Sequence, residues 1–345
     1  MTSVYIDGIG ILSPSVRSKE ELIATAARLL QGEKAASAPD GAAFAEAFAF
    51  DLGVPSSKVR RAPRYAKLAV ASSAQALADA DVEADRAAIG TIFTSGYGPV
   101  ENNAAFADSV AEGAPLLASP TVFSYTVPNA CLGQVCIVHG LQGPSTMLLA
   151  GDAAEYAALL LAGGKAPHIL CGAVEDPTAE LRASFDAAGA LSSEKIAGGA
   201  VTLLLSAKSS AKSYCRITKF ASAALPVYPY VSRLSDAQEE AAVRAMTAAL
   251  AYVRQDAPPD LVLTAENGGG FDAKEQAARR EALGDVRAMH AKCIFGESLN
   301  CGYLENIALG AALLRGEREC GGKIRSIVAT GLDVHGNYLA ARMEV

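Results

Sequence analysis

The sequence predicts an α/β fold made of two similar halves, and three observations lead there. Apolar, strand-like segments alternate with Ala-rich helical ones along most of the 345 residues. The run Gly143 to Asp176, "GPSTMLLAGDAAEYAALLLAGGKAPHILCGAVED", reads as strand, sharp turn, helix and strand, a frame on which many enzymes mount a nucleophile. After residue 215 the same rhythm returns, so residues 1–215 and 216–345 are expected to be two pseudo-duplicated halves, although their letters do not repeat.

In chain order, "SVYIDGIGIL" (3–12) is rich in Val and Ile and reads as a buried strand. Ser18 and Glu21 have capping-box spacing ahead of "LIATAARLL", and Gly32 is a helix stop. The stretch 60–82 is an Ala-rich helix whose small side chains suit close packing inside the fold. A strand over 87–96, helices around 100–111 and 128–141, a strand after Gly143, a short helix from Ala153 and a strand over 168–174 complete the alternation. The apolar segments 199–206 and 214–223 follow each other closely and are expected to pair antiparallel. In the second half, Ser235 and Gln238 start a helix running to about Arg254. "DLVLTAENGGG" is strand into turn, "YLENIALGAALLRG" is helical, and "IRSIVATG" and "YLAARMEV" are strands.

Composition narrows the function classes. Hydrophobic residues at 51% against 19% charged suit a large packed core and exclude disorder. A net charge of −7 and a pI near 5.3, with no basic run interleaved with aromatics, exclude a nucleic-acid binder. The seven cysteines, at 131, 136, 171, 215, 293, 301 and 320, lack C-x-x-C spacing and are expected as free, mostly buried thiols of a reducing compartment. The start lacks a basic region and cleavage site, and apolar runs are too short or interrupted to cross a membrane, so a cytoplasmic location is expected. No ligand cluster suggests a metal, and no cofactor is expected. "NGGGF" (267–271) lacks the Lys-Ser/Thr continuation of a phosphate loop and reads as a tight turn.

Several stretches in order, "VYIDGIGILSP", "RRAPRYAKLAVASSAQAL", "SPTVFSYTVPNACLGQVCIVHGLQGPS", "GAVTLLLS", "AENGGG" and "KCIFGESLNCGYLENIALGAALL", together resemble the β-ketoacyl-ACP synthases of the thiolase fold over nearly the whole chain. The resemblance implies an αβαβα layered fold, a tight dimer and work on acyl chains held by acyl carrier protein. Active members of that family place a cysteine at the elbow after G-P-S and two histidines in later motifs. A thiolate there is stabilised by a helix N-terminus, and the imidazoles donate to a thioester oxyanion and assist decarboxylation.

This chain departs at each point. The elbow holds Gly151 and Asp152, the first histidine motif is "AENGGG" with Glu266 or Asn267 in its place, and the second keeps Lys292 but carries Glu297. The glycine-rich gating loop of the family is "GLDVHGN" (331–337). An ionised carboxylate cannot donate to an oxyanion and repels a malonyl group. At 4 Å and an effective dielectric of about 20, that repulsion is roughly 4 kcal/mol, nearly a thousandfold in rate.

The resemblance therefore implies a catalytically silent subunit similar to the chain-length factors of fatty acid, polyketide or aryl polyene systems. Such a subunit would pair with an active ketosynthase and meet acyl carrier protein only through it, part of the interface coming from 128–141. Two other readings stand beside it: a thiolase-superfamily enzyme using Cys301 as an alternative nucleophile or an Asp152, Glu266 and Glu297 set, and a homodimeric acyl-binding or scaffold protein. The favoured reading of those three carboxylates is as solvated groups in a disused pocket. Cys131 in "NACLGQVC" mimics an elbow cysteine but precedes G-P-S, and is expected to be structural. His139, His168, His290 and His335 fall outside the family's catalytic positions.

Overall fold

A computed structural model describes residues 3–33, 51–80, 85–111, 118–189, 191, 195–226, 228–230, 234–320 and 322–345. Ten strands form one sheet in the order β3-β2-β4-β5-β1-β6-β10-β9-β7-β8. In chain order they are β1 (Val4–Leu12), β2 (Gly90–Thr94), β3 (Ser145–Leu148), β4 (His168–Glu175), β5 (Gly199–Ser206), β6 (Arg216–Ala224), β7 (Leu261–Thr264), β8 (Ala288–His290), β9 (Ser326–Leu332) and β10 (Asn337–Glu344). Adding five to each strand of the run β3-β2-β4-β5-β1 gives the run β8-β7-β9-β10-β6, so the two half-sheets share one topology. They meet at β1 and β6 through only two residue pairs, Val4 with Ile217 and Tyr5 with Arg216.

The expected direct pairing of 199–206 with 214–223 is corrected by this order. β5 pairs with β4 and β1, while β6 pairs with β10 and β1. The reason is that each segment closes a different half, and β1 satisfies the backbone of both.

The helices are α1 (Lys19–Leu30), α2 (Arg64–Ala80), α3 (Val100–Ala111), α4 (Pro120–Phe123), α5 (Asn129–His139), α6 (Ala153–Ala162), α7 (Ala179–Ala187), α8 (Asp236–Arg254), α9 (Asp272–Leu283), α10 (Lys292–Phe295) and α11 (Cys301–Cys320). The last two residues of the helix expected over 60–82 lie outside the described residues. The Ser235/Gln238 capping box forms in full. At α1 only Ser18 caps, because Glu21 turns to the Arg17 amide at 2.7 Å.

Strand alternation sorts side chains into layers. On β1, Val4, Ile6, Ile9 and Ile11 face a central core, with Val201, Leu203 and Leu205 of β5 and Ile327 and Ala329 of β9. α1, α6 and α11 fill that core between the half-sheets. The outer face of the first half-sheet, through Phe93, Leu170, Val174 and Leu204, packs on α2 and α5. The outer face of the second, through Val262, Val328 and Ala340, packs on α8 and α9. Three helix layers and two sheet layers result. α2 approaches β1 closely because Gly8 and Gly10 present no side chain: a methyl on Gly10 would overlap the Ser72 carbonyl oxygen, and one on Gly8 that of Ala76. Among the described residues no helix is long and apolar enough to cross a membrane.

That contact generates a stability prediction. Gly10→Ala should lower unfolding free energy by about 3 kcal/mol, the upper part of the overpacking range, because the opposing atom is backbone. Urea titration followed by circular dichroism measures it, and an unchanged midpoint would contradict the packing described.

Candidate functional site

The elbow lies where β3 ends and α6 begins. Gly151, with φ of 88°, makes the turn, and its amide donates to Asp333 at 2.9 Å. Asp152 is the N-cap of α6: one carboxylate oxygen accepts the amides of Ala154 and Glu155 at 2.8 and 2.9 Å. The other accepts the Tyr303 hydroxyl of α11 at 2.8 Å. Burial pushes the Asp152 carboxyl up to about 7, while those hydrogen bonds pull the other way. No sulfur stands at this elbow.

The space found beside it among the described residues is small. A cavity of about 10 Å³ bordered by Gly151, Leu299, Asn300 and Tyr303 has room for one water at most. Above it Phe185, Ile196, Tyr230, Leu299 and Val334 pack together, with Tyr97 against them. The 331–337 loop is a fixed turn. Asp333 accepts the amides of Gly151, His335 and Asn337 and the Asn337 side-chain amide, each within 3.0 Å.

Lys292, Asn267 and Glu297 form one buried network. The Lys292 ammonium and the Asn267 amide both donate to one Glu297 oxygen at 2.5 Å, and the Leu299 amide donates to the other at 2.8 Å. Both oxygens of Glu297 are thereby engaged, and the ammonium is held as its counter-ion. Glu266 belongs elsewhere. It accepts from Gln276 at 2.9 Å and lies 3.1 Å from His290 Nδ1, with Arg279 at 3.7 Å. Of the two residues expected at the first histidine position, Asn267 is the one brought to Lys292.

Asp152, Glu266 and Glu297 are 8%, 5% and 2% exposed, which corrects their reading as solvated groups. Each carries its own set of donors, and that is what makes burial tolerable. The "NGGGF" segment is a tight turn as expected, with Gly268 at φ 82° and the amides of Asn267 and Gly268 donating to Asp272. Cys301 is fully buried, donates weakly to the Gly199 carbonyl at 3.6 Å, and has its thiol pushed well above the usual range by burial. Cys131, in α5, donates to the Pro128 carbonyl at 3.3 Å, and burial lifts it to about 12. Cys293 is the exposed thiol among the described residues, and no described His, Cys, Asp and Glu group could hold a metal ion.

Sequence reasoning missed two neighbouring acids. Glu175, at the end of β4, accepts the Gly96 amide, and Glu305 of α11 accepts the Ser298 hydroxyl while its other oxygen has no partner. Burial raises both to about 8. The available signal was a Glu and an Asn, residues 305 and 306, inside the otherwise apolar "YLENIALGAALL".

These acids set a pH dependence. Glu305 stays protonated in the folded chain from its ordinary value of 4.5 up to about 8, whereas the unfolded chain has lost that proton. Stability therefore falls as pH rises through that window, by at most about 5 kcal/mol from this group. Glu305→Gln should flatten the decline between pH 5 and pH 8, read as the change in urea midpoint. A decline as steep as in the unsubstituted chain would refute the assignment.

A family model described as β-ketoacyl synthase, N-terminal domain, matches residues 49–258. The chain is 28% identical over 237 residues to the tetracenomycin polyketide synthase ketoacyl synthase alpha subunit of Streptomyces glaucescens, a match spanning 58% of this chain and 55% of that subunit. Among solved structures, the ishigamide ketosynthase/chain length factor is similar at TM-score 0.78 and 19% identity, over 100% of this chain and 99% of that one. A β-ketoacyl synthase from Burkholderia phymatum gives 0.78 at 18%, over 100% and 99%. A type II polyketide synthase acyl-carrier protein in complex with its ketosynthase bound to the hexaketide gives 0.74 at 15%, over the whole of both chains. At these identities the structures establish the layered ketosynthase fold that the sequence resemblance implied. The chain belongs to the β-ketoacyl synthase family.

Proposed function

We propose that this protein is a ketosynthase-like subunit without condensing activity of its own, which acts by pairing with an active ketosynthase in polyketide or related acyl-chain synthesis. The observation that carries the reading is Asp152: a buried carboxylate, bonded to its own helix and to Tyr303, stands where the family's nucleophile belongs. Condensation needs a nucleophile at that point, room for an acyl thioester and proton donors facing its oxygen. Here the room is about 10 Å³, and the Glu297 acceptor is tied to Lys292.

A pairing surface supports the second part of the reading. β3 is a sheet edge, and around it Phe123, Val127, Ile137, Leu149 and Leu159 are 48–79% exposed. An unpaired strand edge flanked by large apolar side chains favours burial against another protein. Ile137 lies in α5, inside the 128–141 stretch expected at the interface. The solved relative named ketosynthase/chain length factor supports a heterodimer with an active chain, and the one solved with its acyl-carrier protein supports an indirect meeting with such a carrier. Halves divided near residue 215 fit the shared strand order.

The enzyme reading that uses Cys301 is disfavoured. Its thiol is enclosed, its ionisation is suppressed, and two raised carboxyls lie near it.

Two outcomes follow. Asp152→Cys should lose about 1 kcal/mol through the weakened cap and show no malonyl decarboxylation above background, measured by chemical denaturation and by product release. Robust turnover by this variant, or by the unsubstituted chain alone, would overturn the silent assignment. Second, co-expression with a genomically adjacent ketosynthase should yield a mixed dimer on size exclusion with light scattering. Ile137→Asp with Leu159→Asp should dissociate it while leaving the thermal melting of the isolated chain within a few degrees. A stable homodimer that ignores the ketosynthase would favour the scaffold reading instead.

A further inference from the structure

A large groove bordered by described residues lies away from the elbow. It lies at the opposite end of the first half-sheet, where β4 begins at His168 and β5 ends at Ser206, with a volume of about 1230 Å³. The eight residues of β4 put it about 23 Å from the Glu175 end. Its floor is apolar, from Ala88, Pro144, Leu161 and Pro167, and its rim carries Lys165, Lys208 and Lys212.

Among the described residues, Asp7 is the acid that borders the groove. Asp7 sits at a bulge of β1, is 4% exposed, and accepts the hydroxyls of Ser206 at 2.5 Å and Ser213 at 2.6 Å. Its charge sits in the wall, and the three lysines bordering the groove outnumber it among the described residues. Lys165 and Lys208 have no side-chain ion pair among the described residues. His168 lines the same wall with Nδ1 buried and unpartnered, and burial lowers its affinity for a proton. No protein group fixes its tautomer. Cations at the rim, an uncommitted imidazole and an apolar floor therefore face one space, in a chain whose overall charge is −7.

We propose that this groove binds a phosphorylated small molecule, its phosphates held by Lys165 and Lys208 beside His168 and its apolar body lying on the floor. The volume exceeds that of ordinary small-molecule pockets, so a nucleotide-sized ligand fits. Two ammonium groups offset most of the charge of a diphosphate, and His168 supplies a further hydrogen bond through Nε2, the ring nitrogen that is not enclosed. The site is independent of the silent-subunit reading, because nothing at the elbow enters it.

The test is isothermal titration of the full chain with adenosine 5′-diphosphate, inorganic pyrophosphate and adenosine as probes, and with phosphatidic acid vesicles in a parallel arm. The diphosphate should bind at least about tenfold more tightly than adenosine, as expected for two charge-assisted contacts, and more tightly than pyrophosphate because of the apolar floor. Lys165→Glu with Lys208→Glu should weaken it at least about tenfold. Both lysines are exposed, so the variant is expected to fold. If it does not, the unsubstituted chain still decides: its affinity should drop several-fold as salt rises, and its His168 imidazole resonances should move on addition of diphosphate. Equal binding of adenosine and the diphosphate, silence of the His168 resonances, capture by vesicles alone, or no heat with either phosphate probe would each overturn the proposal.

Discussion

A hydrogen bond between the Tyr303 hydroxyl and the Asp152 carboxylate joins α6 to α11, two of the three helices of the central layer, and the site is arranged around it. Asp152 opens α6, which belongs to the first half; Tyr303 lies in the first turn of α11, which belongs to the second. The resemblance puts the family's cysteine at this spot, and here the side chain is bonded through both of its oxygens. The neighbouring tie from Gly151 to Asp333 works in the same direction, holding the turn of the former gate against the elbow. A joint of this kind stabilises by satisfying buried groups rather than by exposing them.

The polar groups in this region are numerous and almost all assigned. Both oxygens of Glu297 are engaged, by Lys292, Asn267 and the Leu299 amide, and one oxygen of Glu266 meets Gln276 and His290 while Arg279 lies 3.7 Å from the other. Such networks are costly to break and carry little spare capacity for a ligand. Glu266 and Glu305 each keep one buried oxygen without a hydrogen-bond partner, and burial is what holds the proton on Glu305 near neutrality.

Much of this architecture was legible in the residues. Helix boundaries at Ser235 and Gly32, the elbow at Gly151 and the loss of thiol and imidazoles all follow from local patterns that side chains cannot easily disguise. The placement of β1 between β5 and β6 was not legible, because strand partners are chosen by long-range packing rather than by neighbours in sequence. α7, α9 and β8 also went unread, being short or carrying many charges. At the site, the residue types at 152, 266 and 297 were correct but their environment was not. Carboxylates in sequence suggest water, and only tertiary structure reveals the Tyr303, Gln276 and Asn267 donors that let them go dry.

The narrow seam between the half-sheets has a mechanical meaning. A short ladder links β1 to β6 and to the Tyr214–Cys215 backbone before it, so the sheet gives the halves a narrow grip on each other, and much of the cohesion resides in α1, α6 and α11 pressed between them. Neither half owns that layer. A fragment ending near residue 215 would leave Ile9, Ile11, Leu203 and Leu205 without the α11 side chains that cover them, and would present an oily wall to water. The duplicated plan therefore does not give two modules that can be separated; it gives one cooperative body whose interior is shared.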